Sequence, residues 1–443
     1  MRIKGFVRRT LATVALMCFA QGGLAGGLSL TAALDAARAY DPKYQSALRD
    51  FEASREYGVY GRAALGPEVS LGASLAQNQL DQSVGTASRT TSYQSSNLLL
   101  QLRQPLYNAE LRARGREGEA RSRQGEAALA DQTSQLMVRL LEAYTNVPLA
   151  DELLATATAE VAALGEQLRS AQNMRARGEG TVTDELEARS RLAVAEARLL
   201  EARDVREDAI GRLVMMLGPT VRPEPRKLDA MFTRLPLQPA DLAAWELLAL
   251  ARNPTIEVRR HALQAAREVL DRSDAVWRPR LDAVASVSRA DSDSINTVNQ
   301  SSFQRSVGVQ LNMPVFDNGR NASQARQAAA AMGSAQAMLD DARETVLTEL
   351  RKQYRVLLSQ AQKVSAYSEA LDAATLQVQA TRQSVKGGIR VTLDVLNAQT
   401  QRFTVQQELT QARFNYFKAW FRLRAAAGVL DVSDLLLIDQ QLK

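Results

Sequence analysis

Several residue types are scarce in this chain, and each scarcity excludes a class of protein. Cys18 is the only cysteine and His261 the only histidine among 443 residues, so disulfide scaffolds and His/Cys metal centres are excluded. The 12 prolines and 24 glycines, together with abundant alanine and leucine, disfavour an all-β fold. After residue 25 no stretch stays apolar for about 18 residues, so we predict no transmembrane helix.

Residues 1–25 have the features of a secretory signal peptide. Four basic residues open this segment, an apolar run follows at 11–20, and small residues at 23–25 suit a cleavage site. An apolar run of about ten residues is too short to span a bilayer, which disfavours the alternative of an N-terminal membrane anchor. Cleavage would remove Cys18 and the four basic residues, which lowers the formal net charge from +6 to +2, so a nucleic-acid partner is not expected.

The rest of the chain contains the same pattern twice. Three landmarks recur in the same order, 209 to 212 residues apart. They are Asp41-Pro42 with Asn253-Pro254, Gly66-Pro67 with Arg278-Pro279, and Gln104-Pro105 with Met313-Pro314. We interpret 29–218 and 241–428 as tandem structural repeats. The proline-rich segment 219–240 is predicted to link them, and 429–443 to form a C-terminal tail.

Hydrophobic periodicity predicts the same elements in each repeat. Short helices are expected at 29–40 and 42–64, and again at 239–252 and 254–276. Period-two alternation predicts strands at about 68–78, 93–104, 280–289 and 303–313, joined by polar loops at 78–92 and 289–302. Helical periodicity resumes at 109–217 and 318–427, where each repeat is predicted to form an antiparallel coiled coil.

Two glycine breaks are predicted as the tips of these coiled coils. The glycines are Gly178 and Gly180 in the first repeat, and Gly387 and Gly388 in the second. Thr183 and Thr392 match each other at an offset of 209 residues, and Thr392 is predicted to cap the helix that follows. Pro148 predicts a kink in the first long helix, because proline lacks the amide hydrogen that a helix interior needs.

Catalysis and metal binding find little support in the sequence. His261 lies on a predicted helix without a cysteine or second histidine to share a metal ion, so a structural role is the simpler interpretation. The Gly178-Glu179-Gly180 run lacks a preceding strand and is therefore not a phosphate loop. Asp291 and Asp293 lie in a predicted polar loop, where a calcium contact is a weaker alternative. We predict no enzyme activity, no cofactor and no metal.

The four predicted strands of one chain are too few to close a β-barrel. Barrel closure needs about eight strands, and an open sheet leaves two edges exposed. Two chains would supply eight strands, and three chains would supply twelve. Some aromatic residues lie at the predicted strand ends, where membrane-facing aromatic belts occur: Tyr93, Tyr107, Phe303 and Phe316. A small soluble sheet packed against helices is the alternative.

Three motifs occur in order along the duplicated chain: Gln-Pro-Leu-Tyr-Asn at 104–108, Gly-Glu-Gly-Thr-Val-Thr-Asp at 178–184 and Arg-Val-Thr-Leu-Asp-Val-Leu-Asn-Ala-Gln at 390–399. In this order, they resemble the motifs of the TolC family of outer-membrane channel proteins. The resemblance covers the whole chain after the signal peptide and implies a mainly α-helical protein with membrane β-strands. It implies a homotrimer whose 12-stranded β-barrel in the cell outer membrane continues into a long periplasmic barrel of coiled-coil helices. The linker and the C-terminal tail would lie in its equatorial region.

The resemblance also implies a function and partners. The expected function is an exit duct for type I protein secretion, working with a periplasmic adaptor protein and an inner-membrane ABC or proton-driven transporter. A tripartite efflux pump for small molecules is the first alternative, and a periplasmic coiled-coil structural or adaptor protein is the second. Outer-membrane lipid is a further expected partner.

The same resemblance places a gate at the periplasmic tips. Its predicted residues are Thr183, Asp184, Arg390, Asp394 and Asn397, with Gly178, Gly180, Gly387 and Gly388 as hinges. Asp394 from three chains would ring the axis, and Arg390 is expected to pair with Asp184 of a neighbouring hairpin.

Two features of these tips shape that hypothesis. At the 209-residue offset, Leu393 is the counterpart of Asp184 and Thr181 that of Arg390, so each charge is predicted to be unique to one repeat. Val385 and Asn397 depart from the family, which often has an aromatic residue and a second acid there. These departures imply a less firmly closed tip and weaker cation binding.

Overall fold

The structure is a computed structural model that describes residues 28–219, 221, 233–294 and 297–441. The first repeat contains α1 (Leu30–Tyr40), α2 (Pro42–Ala63), β1 (Glu68–Val84), β2 (Ala87–Tyr107), α3 (Ala109–Ala176) and α4 (Val182–Leu217). The second contains α5 (Leu242–Arg252), α6 (Pro254–Ala275), β3 (Arg280–Ser294), β4 (Thr297–Asn312), α7 (Arg320–Lys386) and α8 (Thr392–Ala426), and α9 (Val432–Asp439) follows. The predicted signal peptide and most of the predicted linker lie outside the described residues.

The recurring Asp-Pro and Asn-Pro dipeptides start equivalent helices. Asp41 and Asn253 cap α2 and α6 through their side-chain oxygens, and a proline occupies the first helical position after each. Both capping residues are buried, and each also makes a hydrogen bond to another helix. Arg139 of α3 donates to Asp41 Oδ2 at 2.9 Å, and Asn253 Nδ2 donates to the carbonyl of Ala426 at 2.8 Å. Each dipeptide therefore both begins a helix and fixes it to a neighbouring one.

The two longest helices carry the architecture. α3 has 68 residues and α7 has 67, so each is about 100 Å long at about 1.5 Å per residue. α2 and α4 both pack against α3, and α6 and α8 both pack against α7. α3 also contacts α6 and α8, so the two repeats lie side by side. α3 continues through the buried Pro148, and the kink there stays a prediction. Within the described residues, none of the helices is both long and apolar enough to cross a membrane.

The main core lies where α5, α8 and α9 meet the long helices. Large aromatic side chains fill it with 2% exposure or less: Trp245, Phe414, Phe417, Trp420 and Phe421. The indole nitrogens of the two tryptophans donate to carbonyls of the segment that precedes α5, at 2.6 Å and 3.0 Å. Asp434 of α9 accepts a hydrogen bond from Arg424 of α8 at 2.7 Å. The described part of the linker and the tail are therefore held against one core.

The strands form one antiparallel sheet in the order β1-β2-β3-β4. They have 17, 21, 15 and 16 residues and are longer than predicted. The prediction of polar loops at 78–92 and 289–302 is wrong, because strand pairing continues to Val84 with Ala87 and to Ser294 with Thr297. Only Gly85 and Thr86 separate the first pair. Hydrogen bonds between the strands pair the backbone amides and carbonyls of these segments. Their polar side chains therefore do not prevent them from forming strands.

The register gives the sheet two chemically different faces, because residues directly opposite on neighbouring strands share a face. One row across all four strands is apolar: Val69, Leu102, Ala285 and Val307. The adjacent row, on the other face, is polar: Ser70, Gln101, Ser286 and Ser306. Val69 is 65% and Val307 89% exposed in the single chain. The apolar face is therefore uncovered in one copy of the protein.

Candidate functional site at the hairpin tips

The two hairpin tips have the same backbone conformation. Gly178 has φ +78° and Gly388 has φ +72°, a left-handed conformation that glycine adopts without a Cβ penalty. The residue after each glycine donates its amide to the carbonyl five residues earlier, at 2.9 Å in both tips. This bond closes α3 and α7 and turns the chain back into α4 and α8. Gly180 and Gly387 do not adopt the left-handed conformation.

This shared conformation corrects the equivalence between the repeats. Gly178 matches Gly388, so the offset at the tips is 210 residues and not 209. Asp184 then corresponds to Asp394 and not to Leu393, because each aspartate is the third residue of its helix. The interpretation that the acid is unique to the first repeat is therefore wrong.

The corrected offset also changes the other predicted counterparts. Arg390 corresponds to Gly180 and not to Thr181. Thr183 and Thr392, whose chemical identity suggested the shorter offset, are the second and first residues of their helices. The position of the left-handed glycine therefore aligns the two repeats more reliably than the match between two threonines.

The helix caps of the two tips differ. The Thr181 hydroxyl accepts the Asp184 amide at 3.1 Å, and the Asp184 carboxylate accepts both the Thr181 hydroxyl at 2.6 Å and its amide at 3.2 Å. These bonds form a capping box at the start of α4. Val391 takes the cap position of α8 without a side-chain bond, so the prediction that Thr392 caps this helix is wrong.

The charged residues of the second tip stay without partners in one chain. Asp394 and Arg390 make no side-chain hydrogen bond or ion pair with the described residues, and Arg390 is exposed. Asp184 is already held by Thr181. The predicted pair of Arg390 with Asp184 does not form within the chain, and pairing with a neighbouring copy stays a prediction.

Asn397 is the predicted gate residue that joins the two hairpins. Arg191 of α4 donates through Nη2 to Asn397 Oδ1 of α8 at 2.8 Å, and also to Glu187 Oε1 at 2.9 Å. We call Glu187, Arg191 and Asn397 the latch. An apolar cluster of Leu164, Ala195 and Leu396 lies beside it and joins α3, α4 and α8. Arg191 was not among the predicted gate residues, although its spacing of four residues from Glu187 is typical of a helical ion pair.

A second ion pair lies entirely within the first hairpin and joins its two helices. Arg175, in the last turn of α3, donates to the Glu185 carboxylate of α4 at 2.5 Å. This hydrogen bond lowers the pKa of the Glu185 carboxyl below its usual value. No cluster of three or more potential metal ligands occurs within the described residues. The Arg175–Glu185 bond of the first tip joins α3 to α4.

Comparison with known proteins identifies the family. The profile described as "Outer membrane efflux protein" matches residues 33–219 and 247–429. The chain belongs to the outer membrane efflux protein family. The alkaline protease secretion protein AprF of Pseudomonas aeruginosa is 38% identical to it, covering 90% of this chain and 84% of AprF. The proteases secretion protein PrtF of Dickeya chrysanthemi is 31% identical, covering 97% of this chain and 94% of PrtF.

A solved structure shows a fold similar to that of this chain. The outer-membrane channel OprN has a TM-score of 0.79 with 20% identity, covering 90% of this chain and 89% of that structure. The resemblance to TolC-family outer-membrane channels is confirmed. The family consists of channel and transport proteins. The gate residues named above stay predictions.

Proposed function

We propose that this chain is the outer-membrane exit duct of a type I protein secretion system. Its similarity to AprF and PrtF over at least 84% of their lengths carries the proposal, since both are named as protease secretion proteins. Energy would come from an inner-membrane ABC or proton-driven transporter, coupled through a periplasmic adaptor. The chain itself would act as a passive channel without enzyme activity. A periplasmic coiled-coil protein would not need the long two-faced sheet.

The open sheet supports assembly into a homotrimer. β1 and β4 each have one unpaired edge in the described chain, and three copies would supply twelve strands that close into a barrel. On β4 the apolar face extends from Phe303 to Leu311, nine residues that span about 26 Å along the strand. Outer-membrane barrels carry an apolar band of about 25 Å. The polar face would then line the lumen.

The tips would form the periplasmic gate of this duct. We infer that Asp394 of three chains lies near the axis, because its carboxylate has no partner in the described chain. Arg390 is available for a neighbouring chain for the same reason. The latch would hold the two hairpins of each chain together at this end. Thr183 and Asp184 would shape the start of α4, since Asp184 completes its capping box.

A reconstitution experiment tests the proposed cargo. The chain is expressed in a strain that has a type I transporter, its adaptor and a secreted protease, but no endogenous duct. Restored extracellular protease activity is expected. Restored solvent or antibiotic tolerance without protease secretion would instead identify an efflux duct, and failure of both would reject the channel proposal. Native mass measurement in detergent, which should give three chains, shows whether the protein assembled.

The proposed orientation predicts which segments are reachable from outside the cell. An epitope inserted between Gly85 and Thr86, in the turn of the first β-hairpin, should bind antibody on intact cells. The same epitope between Gly178 and Glu179 should bind only after the outer membrane is permeabilised, because that tip would lie in the periplasm. The reverse labelling pattern would invert the topology.

A further inference from the structure

We propose that the β3–β4 hairpin binds a phosphorylated glycolipid of the outer leaflet through Arg289 and Arg305. Both arginines lie on the apolar face of the sheet, the face that would contact lipid. The proposal deepens the function above and rests on the orientation in which the hairpin turns face outside the cell. It concerns a binding site for a lipid headgroup, separate from the tips.

The strand register places the two arginines next to each other. Arg289 lies between Leu98 and Phe303, and Arg305 lies beside Val287 in the next row of the same face. Arg289 and Arg305 are thus diagonal neighbours on paired strands, about 7–8 Å apart along the backbone and closer at their side chains. Two long guanidinium side chains at that spacing can both reach one phosphate group.

The surroundings of the pair favour an anion. The Arg305 guanidinium carbon lies 4.9 Å from the centre of the Phe303 ring, and Arg305 pairs with no acid among the described residues. Arg289 donates to Asp291 Oδ2 at 3.3 Å and is still 64% exposed. Asp291 lies directly opposite Ser301 and accepts from Arg289, so this carboxylate is already engaged. Two cations and one acid leave a net positive site.

The neighbouring rows explain why the ligand would be a lipid. Towards the helices, the same face carries only uncharged residues in the next row: Val69, Leu102, Ala285 and Val307. Beside the arginines, β1 and β2 contribute Leu71, Ala73, Leu98 and Leu100. An acyl chain can lie on this surface while its headgroup phosphate reaches the guanidinium groups. A free phosphate ion would leave the apolar surface uncovered.

The position of the two arginines on the sheet also indicates that the lipid would belong to the outer leaflet. The site lies at the end of the apolar band nearer the hairpin turns, and Phe303 marks that edge as an interfacial aromatic residue. Arginine side chains near the edge of an apolar band extend towards the headgroup region. The first β-hairpin carries no arginine on this face, because Arg89 and Arg103 of β2 lie on the other face, so the site would occur once per chain and three times per trimer.

Binding of diphosphorylated lipid A to the purified, delipidated trimer tests the proposal by native mass spectrometry. The wild type should bind up to three molecules per trimer. The R289Q/R305Q variant should bind at least about ten-fold more weakly, because it loses the charge-assisted hydrogen bonds to phosphate. The wild type should bind dephosphorylated lipid A at least about ten-fold more weakly than diphosphorylated lipid A. R89Q is the matched control, since Arg89 is an exposed arginine of β2 on the other face.

Three results would overturn the proposal. They are unchanged binding by the double variant, an equal loss in R89Q, and wild-type affinity for phosphatidylglycerol equal to that for lipid A. The last result would mean a general preference for anionic lipids. A trimer of normal mass shows that the double variant is folded. The epitope experiment reports the orientation separately, so a wrong topology can be distinguished from a missing lipid site.

Discussion

Replacing Gly428 by alanine is expected to lower both the stability of the folded protein and the yield of the proposed trimer. Gly428 follows the end of α8 with φ +69°, and Val429 donates its amide back to the Arg424 carbonyl at 3.0 Å. A Cβ at this position would lie 2.4 Å from the Arg252 carbonyl oxygen, in the backbone of the α5–α6 corner. Neither backbone segment can move aside freely, because Asn253 bonds the same corner to the end of α8.

The expected cost combines two effects. A left-handed conformation costs a residue with a Cβ about 1–2 kcal/mol, and forced overpacking costs about 1–3 kcal/mol. Together they remove roughly 2–5 kcal/mol from the free energy of unfolding, a large share of the stability of a typical domain. The yield of heat-modifiable trimer and its midpoint in guanidinium chloride measure the effect.

Gly165→Ala is the matched control for that variant. Gly165 lies inside α3, and a Cβ there would meet no atom within 4 Å. Alanine favours a helix over glycine by about 1 kcal/mol, so this variant should assemble at least as well as the wild type. If Gly428→Ala assembles as well as Gly165→Ala, the close approach of α8 to the α5–α6 corner is not important for folding.

Removing the latch by Arg191→Ala is expected to open the periplasmic tip. Only the hydrogen bond from Arg191 to Asn397 joins the two hairpins, and such a bond to a charged group is worth about 1 kcal/mol per chain. If the three chains of the proposed trimer open together, about 3 kcal/mol is lost. The ratio of open to closed channels would then rise about 100-fold. Single-channel conductance in planar bilayers and cellular sensitivity to large antibiotics measure the change.

Four further variants make the latch prediction specific. Arg189→Ala removes an exposed arginine of the same helix that has no ion pair among the described residues, and it should leave conductance unchanged. Asn397→Ala should act like Arg191→Ala, and the double variant should add little to either, because both remove the same hydrogen bond between the hairpins. Asn397→Asp should lower conductance by turning the hydrogen bond into an ion pair. Equal conductance of wild type and Arg191→Ala would show that the latch does not hold the gate.

Much of the fold could be predicted because its signals are local. Asp41 and Asn253 each precede a proline and cap a helix, which requires only neighbouring residues. Apolar periodicity over about 70 residues predicted the long helices, and glycines predicted the positions of both tips. The duplicated order of landmarks predicted two repeats with four strands. These features depend on backbone conformation and periodicity, which short stretches of sequence determine.

Only the tertiary structure decided how distant residues meet. The strands continue past the predicted loops because a partner strand satisfies their backbone groups, and composition does not reveal that partner. The equivalence of Asp184 and Asp394 became visible when both left-handed glycines were placed. Arg191 meets Asn397 because the two hairpins lie side by side, although 206 residues separate them in the chain. The sequence by itself determined the local elements, and the packing of the repeats decided the contacts of the candidate gate, since those contacts exist only between elements.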